Sequence, residues 1–180
     1  MEPSSMVACY DGSKSIYVLG KDMIRNFRQL QHQSSDLIRI DIDTLEATKV
    51  GQSAFYNYEQ PVALHYFNEQ IFAVISNNPH LWTINPVYGT SSQSFKLDRR
   101  ITGRSSCHDG KGRLFFKEDE SMCELNLNTG IIQHYPDAYN LPMLDTILYF
   151  KSHNRILVNG KYIVNGVGNN YGSYLVSIPK

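Results

Sequence analysis

Short apolar runs separated by turns that contain Asp or Asn recur along the chain and predict antiparallel β-strands. In the clearest run, Ile38, Ile40 and Ile42 alternate with Arg39 and Asp41. This period of two places the three isoleucines on one face of a half-buried strand and the charged residues on the other. Because such runs follow one another across short turns, the sequence predicts a chain of β-hairpins.

The predicted strands group into four successive units. They cover residues 7–10, 15–20, 37–42 and 45–50; 62–67, 70–75, 81–84 and 91–97; 105–108, 113–116, 122–127 and 131–135; and 146–150, 155–158 and 174–178. Residues 161–164 either extend the second strand of the last unit or begin an extra hairpin. The glycine-rich stretch 166–172 is predicted to be a loop, because glycine disfavours strands.

The turns that follow the third strand of each unit recur at a fixed period. They begin at Asp43, Asn85 and Asn128, which are 42 and 43 residues apart. A four-strand unit at this period is typical of a β-propeller blade. The sequence therefore predicts an all-β, propeller-type domain over residues 1–180, with blades at about 6–51, 61–98, 104–136 and 145–180. Three of these blades are complete and the fourth is partial.

Residues 21–36 interrupt the first unit between its second and third strands. Met23, Phe27 and Leu30 stand at helical spacing, and Asp22 is suitable as an N-cap. A short helix and a polar loop both fit this segment. Either way it forms a long second-to-third loop.

Charge and cysteine content narrow the classes of partner and compartment. The chain has 17 basic and 17 acidic residues, so no binding to nucleic acid or to an acidic membrane is expected. Three widely spaced cysteines argue against a disulfide framework. Residues 2–5 are polar and unlike a secretory leader. We therefore expect a cytoplasmic protein.

The first unit resembles a kelch-like repeat. The residues that carry the resemblance are the turn CYDG at 9–12, the strand SIYVLG at 15–20 and the segment DLIRIDIDT at 36–44. Of the glycine pair that ends the equivalent strand in that family, only Gly20 is present, and Lys21 takes the second place. The resemblance implies a ring of six or seven blades that binds other proteins. Four blades at most fit in this chain, so a piece of a larger ring is an open alternative.

The sequence carries no recognisable catalytic or cofactor motif. Its six histidines lack the short, paired spacing of structural zinc ligands. It has no nucleophile elbow and no phosphate-binding loop in the required strand–helix context. We therefore predict no catalytic residue, no metal ligand and no cofactor. The alternative is a propeller hydrolase or oxidase with a metal on the central axis, where residues from distant blades converge.

One candidate binding surface follows from blade geometry, because second-to-third loops and links between blades lie on the same face of a propeller. This face gathers arginine and aromatic residues, which are favoured in binding hot spots. They are Arg25, Phe27, Arg28, Tyr56, Tyr58, Arg99, Arg100 and Arg104. The predicted function is a non-catalytic scaffold that presents loops to a protein or an acidic peptide. The alternative is a solvated surface in which these arginines pair with the acidic residues of 117–120. The oligomeric state is left open.

Overall fold

The computed structural model describes residues 6–21, 35–53, 61–75, 78–97, 106–118, 121–135, 143–164 and 167–177. These residues form fifteen β-strands and a single 3-10 turn, Lys151–His153. No helix among them is long and apolar enough to cross a membrane. The chain divides into two compact units, Met1–Asp98 and Arg99–Lys180, and each unit contains two antiparallel sheets. The all-β prediction is confirmed.

The first unit consists of two four-stranded sheets, which we call blades one and two. Blade one contains β1 (Val7–Tyr10), β2 (Ser15–Lys21), β3 (Ser35–Asp41) and β4 (Ala47–Ser53). Blade two contains β5 (Pro61–Phe67), β6 (Gln70–Ile75), β7 (His80–Ile84) and β8 (Ser91–Lys96). In both sheets the strands lie in the order of the sequence, as in a simple meander of hairpins.

Blades one and two pack face to face, and β1 runs beside β5. Tyr17, Leu19 and Leu37 of blade one share a buried cluster with blade two, whose contributors include Leu64, Ile71, Ala73, Ile75, Trp82 and Ile84. The rings of Tyr17 and Tyr66 stack with their centroids 5.8 Å apart. Large side chains of this kind fill the space between two packed sheets. This cluster forms the hydrophobic core between blades one and two.

The expected alternation in β3 is present, but the most deeply buried residue is not on the isoleucine face. Leu37 is completely buried, although it lies on the same face as the exposed Arg39. Ile38 and Ile40, on the opposite face, are only half-buried. The reason is that Leu37 lies opposite Leu19 and packs against blade two, whereas the isoleucines lie on the face that points away from blade two.

The second unit also consists of two sheets, blades three and four. Blade three contains β9 (Ser106–His108), β10 (Arg113–Glu118), β11 (Ser121–Asn126) and β12 (Ile132–Tyr135). Blade four contains β13 (Met143–Phe150), β14 (Arg155–Val164) and β15 (Val167–Ser177). A buried cluster joins the blades through Cys107, Phe115 and Met122 on one side and Ile147, Ile156 and Val158 on the other. The prediction of three complete blades and one partial blade is confirmed.

Blade four corrects one prediction and decides an open alternative. Strand β14 continues to Val164, so residues 161–164 extend the second strand rather than begin an extra hairpin. The loop predicted at 166–172 is wrong from Val167 onward, because β15 begins there. Gly172 lies opposite Gly160, and Tyr171 lies opposite Lys161. The long antiparallel ladder satisfies the backbone of this glycine-rich segment, which outweighs the weak intrinsic preference of glycine for strands.

Candidate interaction site

The turns between the third and fourth strands of blades one, two and three share one hydrogen-bonding pattern. Each begins at an Asp or Asn: Asp41, Asn85 or Asn126. Its Oδ1 atom accepts hydrogen bonds from the backbone N–H groups two and three residues further on, at 2.8–3.2 Å. Such Asx turns fix the backbone at the point where it reverses. The tips of these hairpins are therefore held in one conformation.

The turns between the first and second strands lie at the same edge of each blade and are fixed in comparable ways. The Oδ1 atom of Asp11 accepts three backbone N–H bonds at 2.7–3.0 Å. That of Asp109 accepts two, at 2.7 and 3.0 Å. Blade two instead uses Asn68 and Glu69, both with positive φ, as hairpin turns of type I′ require.

Backbone hydrogen bonds also join neighbouring turns within a blade. In blade one, the N–H of Ile42 donates to the carbonyl oxygen of Lys14 at 2.9 Å. In blade three, the N–H of Leu127 donates to the carbonyl oxygen of Gly112 at 2.7 Å. Each of these bonds links the end of the third strand to the first turn. The turn edge of the blade therefore behaves as one rigid unit.

This rigid edge presents large apolar side chains to solvent. In the first unit they are Ile42, Leu45, Val87 and Tyr88, and we call these four residues the turn surface. Leu45 is 77% exposed and Tyr88 is 71% exposed. In the second unit, Ile131 holds a comparable exposed position after its turn. Exposed apolar groups on a fixed backbone are suited to contact a partner, because little conformational entropy is lost on binding.

Leu45 adopts a backbone conformation that leucine rarely takes. Its φ angle is +60°, in the left-handed region that costs a non-glycine residue about 1 kcal/mol or more. The N–H of Leu45 donates to the carbonyl oxygen of Asp41 at 2.8 Å, which holds this conformation. Gly or Asn would suit this position better for folding alone.

The surroundings of the turn surface are acidic. Among the described residues, five carboxylates and one lysine, Lys14, lie on the turn edge of the first unit. The carboxylates are Asp11, Asp41, Asp43, Glu46 and Glu69. Backbone hydrogen bonds from Thr44 and Asp43 lower the pKa of Asp41. Burial disfavours the ionised form of Asp11, but backbone hydrogen bonds from Ser15, Ser13 and Lys14 outweigh it and lower its pKa as well. With their lowered pKa values, Asp11 and Asp41 keep their negative charge to lower pH than an ordinary aspartate.

The corresponding aspartate of blade three lies in a buried ionic network. Asp109 accepts a hydrogen bond from Nε of Arg113 at 2.7 Å, and its side chain is inaccessible to solvent. A terminal nitrogen of Arg113 lies 3.9 Å from Glu124, which also accepts a hydrogen bond from the Tyr135 hydroxyl at 3.0 Å. Burial alone would raise the pKa of Asp109, but the bonds from Arg113 and Lys111 outweigh it and lower the pKa. This network stabilises the fold at the turn.

Among the thiols and imidazoles of the described residues, the Sγ atom of Cys123 lies 3.3 Å from the Nδ1 atom of His134. Burial raises the pKa of both Cys9 and Cys107 to about 12, so these thiols stay protonated. Burial lowers the pKa of His108, and its Nδ1 atom accepts the N–H of Gly110 at 2.9 Å. No group of three His, Cys, Asp or Glu residues that could hold a metal occurs in the described part of the chain. His108 is the last residue of β9, within the strand predicted over residues 105–108.

The arginine and aromatic residues proposed from the sequence lie outside the described ranges. They are Arg25, Phe27, Arg28, Tyr56, Tyr58, Arg99, Arg100 and Arg104. Residues 22–34, where the sequence allowed a helix or a loop, lie outside them too. The binding surface at the loop edge therefore stays a prediction.

The sequence analysis placed these turns to within two residues, but it assigned Leu45 to the fourth strand, which begins at Ala47, and it therefore missed the turn surface. The sequence does contain a signal, because Leu45 and Val87 stand within turns and Ile131 directly follows one. Large apolar residues at these positions have no role in a simple polar turn. Their side chains point to solvent because the Asx hydrogen bonds fix the backbone.

No protein-family model matches the chain, and no curated protein matches it. Solved structures do. The chain is similar to one in a nidogen/laminin complex, with a TM-score of 0.61, 11% identity and coverage of 85% of this chain and 55% of that one. It is also similar to the S511A mutant of puromycin hydrolase in complex with PGG, with a TM-score of 0.59, 10% identity and coverage of 93% and 26%. The chain thus spans about half of the first structure's chain and about a quarter of the second's.

At this level of identity the likeness concerns the fold. Together with the meander sheets packed face to face, it assigns the chain to the β-propeller class. The kelch-like repeat remains a prediction from the first unit.

Proposed function

We propose that this protein is a non-catalytic scaffold that binds other proteins through the turn edge of its blades. The observation that carries the proposal is the turn surface, in which strongly exposed apolar residues stand on turns that are fixed by Asx hydrogen bonds. A rigid apolar surface of this kind loses little entropy when a partner covers it. Protein binding, which the sequence analysis predicted for the loop edge, is thus proposed for the turn edge as well.

The chemistry of the turn surface indicates the kind of segment that it binds. Leu45 and Tyr88 offer the largest exposed apolar groups, and aromatic residues are enriched in hot spots. The surrounding carboxylates favour partners with Lys or Arg, since opposite charges accelerate encounter and set orientation. We therefore propose a protein segment with an apolar anchor and basic flanks as the partner of this edge.

Our proposal for the loop edge is a partner of the opposite charge. The eight arginine and aromatic residues at this edge suit a protein segment rich in acidic residues or an acidic peptide, because guanidinium groups bind carboxylates in a bidentate manner. Membership of the kelch-like family and a cytoplasmic location are part of the same proposal. The two edges would then serve partners of different charge.

Affinity capture with matched variants tests both edges. The immobilised protein is incubated with cell extract, and bound proteins are identified by mass spectrometry. The turn variant carries Leu45→Ser and Tyr88→Ser, and the loop variant carries Arg99→Ala, Arg100→Ala and Arg104→Ala. Met6→Ser is the control, because Met6 is also strongly exposed but precedes β1 at the opposite end of the blade.

Partners that are lost with the turn variant and kept with the control support binding at the turn edge. Partners that are lost only with the loop variant support the arginine and aromatic surface. Circular dichroism must show that every variant is folded. If both folded variants capture the same proteins as the unmodified chain, the proposed function is wrong.

A further inference from the structure

Blade two carries a cavity of about 400 Å³ at its turn edge. The residues that line it come from β6, β7, β8 and the turn between β7 and β8. Its volume lies within the range of small-molecule sites in proteins, about 300–1,000 Å³. Binding of a protein segment by the turn surface gives this cavity no role. We call it the second-blade cavity.

Five polar side chains share one face of the sheet at this cavity. They are Gln70, Thr83, Asn85, Thr90 and Ser92. Thr83 lies opposite both Phe72 and Ser92, so these residues are on the same face. The other three polar residues each stand two positions from one of them, and the alternation of side chains along a strand places them on that face too. Ile84 and Ser91 also line the cavity, but they pair with each other on the reverse face.

Thr83 and Ser92 form a pair of hydroxyl groups across two strands. Their Oγ atoms lie 3.1 Å apart, and the Thr83 hydroxyl also reaches the carbonyl oxygen of Ser92 at 3.4 Å. A hydroxyl group donates one hydrogen bond and accepts up to two. Because the ladder between β7 and β8 fixes the two residues opposite each other, the pair presents donors and acceptors at defined positions.

Asn85 presents its side-chain amide in a fixed orientation. Its Oδ1 atom accepts the backbone N–H groups of Val87 and Tyr88 at 2.8 and 3.1 Å. Its own backbone N–H donates to the carbonyl oxygen of Thr90 at 2.9 Å. With the side-chain oxygen held by the turn, the amide nitrogen is the group through which Asn85 donates to a ligand. A donor fixed in this way loses little entropy on binding.

The described residues that line the second-blade cavity are all uncharged. Phosphate and carboxylate ligands are matched by Arg or Lys, and metal ions by carboxylate, imidazole or thiolate groups. Apolar ligands are matched by aliphatic and aromatic walls, whereas the side chains on this face are hydroxyls and amides. The complementary ligand is neutral and rich in hydroxyl groups, because each hydroxyl both donates and accepts hydrogen bonds.

We propose that the second-blade cavity binds a neutral saccharide unit. The hydroxyl pair of Thr83 and Ser92 exchanges hydrogen bonds with neighbouring hydroxyls of the sugar ring, and the amide nitrogen of Asn85 donates to another. Gln70 and Thr90, both exposed, supply further donors and acceptors. Four hydrogen bonds of ordinary net strength correspond to a dissociation constant of about 1 mM.

Saturation-transfer difference NMR tests the proposal with defined probes. The unmodified chain is mixed with glucose, galactose, mannose or N-acetylglucosamine at millimolar concentration, each as the free sugar and as its methyl glycoside. At least one of them should receive saturation from the protein. Glucuronate is the charged counterpart of glucose and should bind more weakly than the best neutral sugar. Binding of the methyl glycoside supports the end of a glycan as the ligand, and binding of the free sugar alone supports a free small molecule.

Matched variants locate the binding. Thr83→Val and Ser92→Ala each remove one hydroxyl with little change of shape and should weaken binding about tenfold. Thr83→Ser keeps a hydroxyl and should keep binding. Ser94→Ala is the control, because Ser94 is an exposed serine of β8 that does not line the cavity. Circular dichroism must show that each variant is folded.

Three results would overturn the proposal. They are the absence of saturation transfer to every neutral sugar, tighter binding of glucuronate, and unchanged binding by the folded Thr83→Val and Ser92→Ala variants. Leu45→Ser in the turn surface should leave sugar binding unchanged, so this test and the test of protein binding fail or succeed separately.

Discussion

Gly51 and Gly89 meet backbone to backbone where the third-to-fourth turn of blade two approaches β4 of blade one. A Cβ atom on Gly89 would lie 2.7 Å from the Cα atom of Gly51, and one on Gly51 would lie 2.3 Å from the carbonyl oxygen of Tyr88. Neither distance leaves room for a side chain. This contact seats the turn that carries Val87 and Tyr88, so it positions half of the turn surface.

We predict that Gly89→Ala destabilises the protein by about 3 kcal/mol, the sum of left-handed strain and overpacking. Gly12→Ala is the matched control. Gly12 also has a positive φ, but a Cβ atom there would have nothing within 4 Å. It should cost about 1 kcal/mol from the backbone alone. Urea unfolding of both variants checks the difference, and equal losses would contradict the close contact.

Asp109 and Asp11 occupy equivalent turns, and we predict different costs for their removal. Asp109→Ala leaves Arg113 without its buried partner and should cost about 3 kcal/mol. Asp11→Ala removes hydrogen bonds at a more accessible turn and should cost about 1 kcal/mol. Thermal or chemical unfolding at neutral pH measures both, and a larger loss for Asp11→Ala would contradict the description of the network.

The contribution of Asp109 should also depend on pH in a defined direction. Its pKa is lowered in the folded protein, so its stabilising effect is fully present above the unfolded value of about 3.9. It is lost as the pH falls through the lower folded-state pKa. The difference in unfolding free energy between the unmodified chain and Asp109→Ala should therefore shrink below about pH 4. A difference that grows in acid would contradict this assignment.

Leu45→Gly should stabilise the protein while weakening capture of its partners. The substitution removes the strain of a leucine at φ +60° and should gain up to about 1 kcal/mol. Asn68→Gly is the control, because Asn68 also has a positive φ but belongs neither to the turn surface nor to the carboxylates around it. Leu45→Gly should melt at higher temperature and lose partners, whereas Asn68→Gly should keep them. Unchanged capture by Leu45→Gly would argue against a role of this leucine in binding.

The thiols should react slowly with a thiol reagent in the native state. Burial raises the pKa of Cys9 and Cys107 to about 12, and Cys123 is fully buried. All three should react rapidly once the protein is unfolded in denaturant, because the thiolate is the reactive form and needs solvent access. Fast stoichiometric reaction of the folded protein would show that a blade opens readily.

Elemental analysis of the purified protein distinguishes two hypotheses, a non-catalytic scaffold and a metal-dependent propeller enzyme. We expect no stoichiometric transition metal. Bound metal at one equivalent per chain would favour the enzyme. Because the described residues contain no group of three possible ligands, at least part of such a site would then come from residues outside the described ranges.

The strand plan was predictable because it depends on local signals. The alternation around Ile38 and the turns at Asp43, Asn85 and Asn128 can be recognised from residues that are adjacent in the sequence. The long hairpin of blade four was missed because glycines such as Gly172 are read as loop signals, whereas the backbone ladder that pairs it with Gly160 involves residues far apart in sequence. The turn surface was missed for a similar reason, since the exposure of Leu45 is fixed by hydrogen bonds that the sequence does not display.

In the first unit the face of Tyr17 packs against the face of Ile71 and Ala73, and in the second unit the face of Phe115 packs against the face of Ile156 and Val158. In each pair, the face with the third residue of one blade's second strand meets the face with the second and fourth residues of the other blade's second strand. Tandem duplication of a gene segment that encodes one blade would therefore add a module whose faces already match those of its neighbour. Growth or shortening of such a protein during evolution would need no redesign of its interfaces, only a change in how many times the unit is copied.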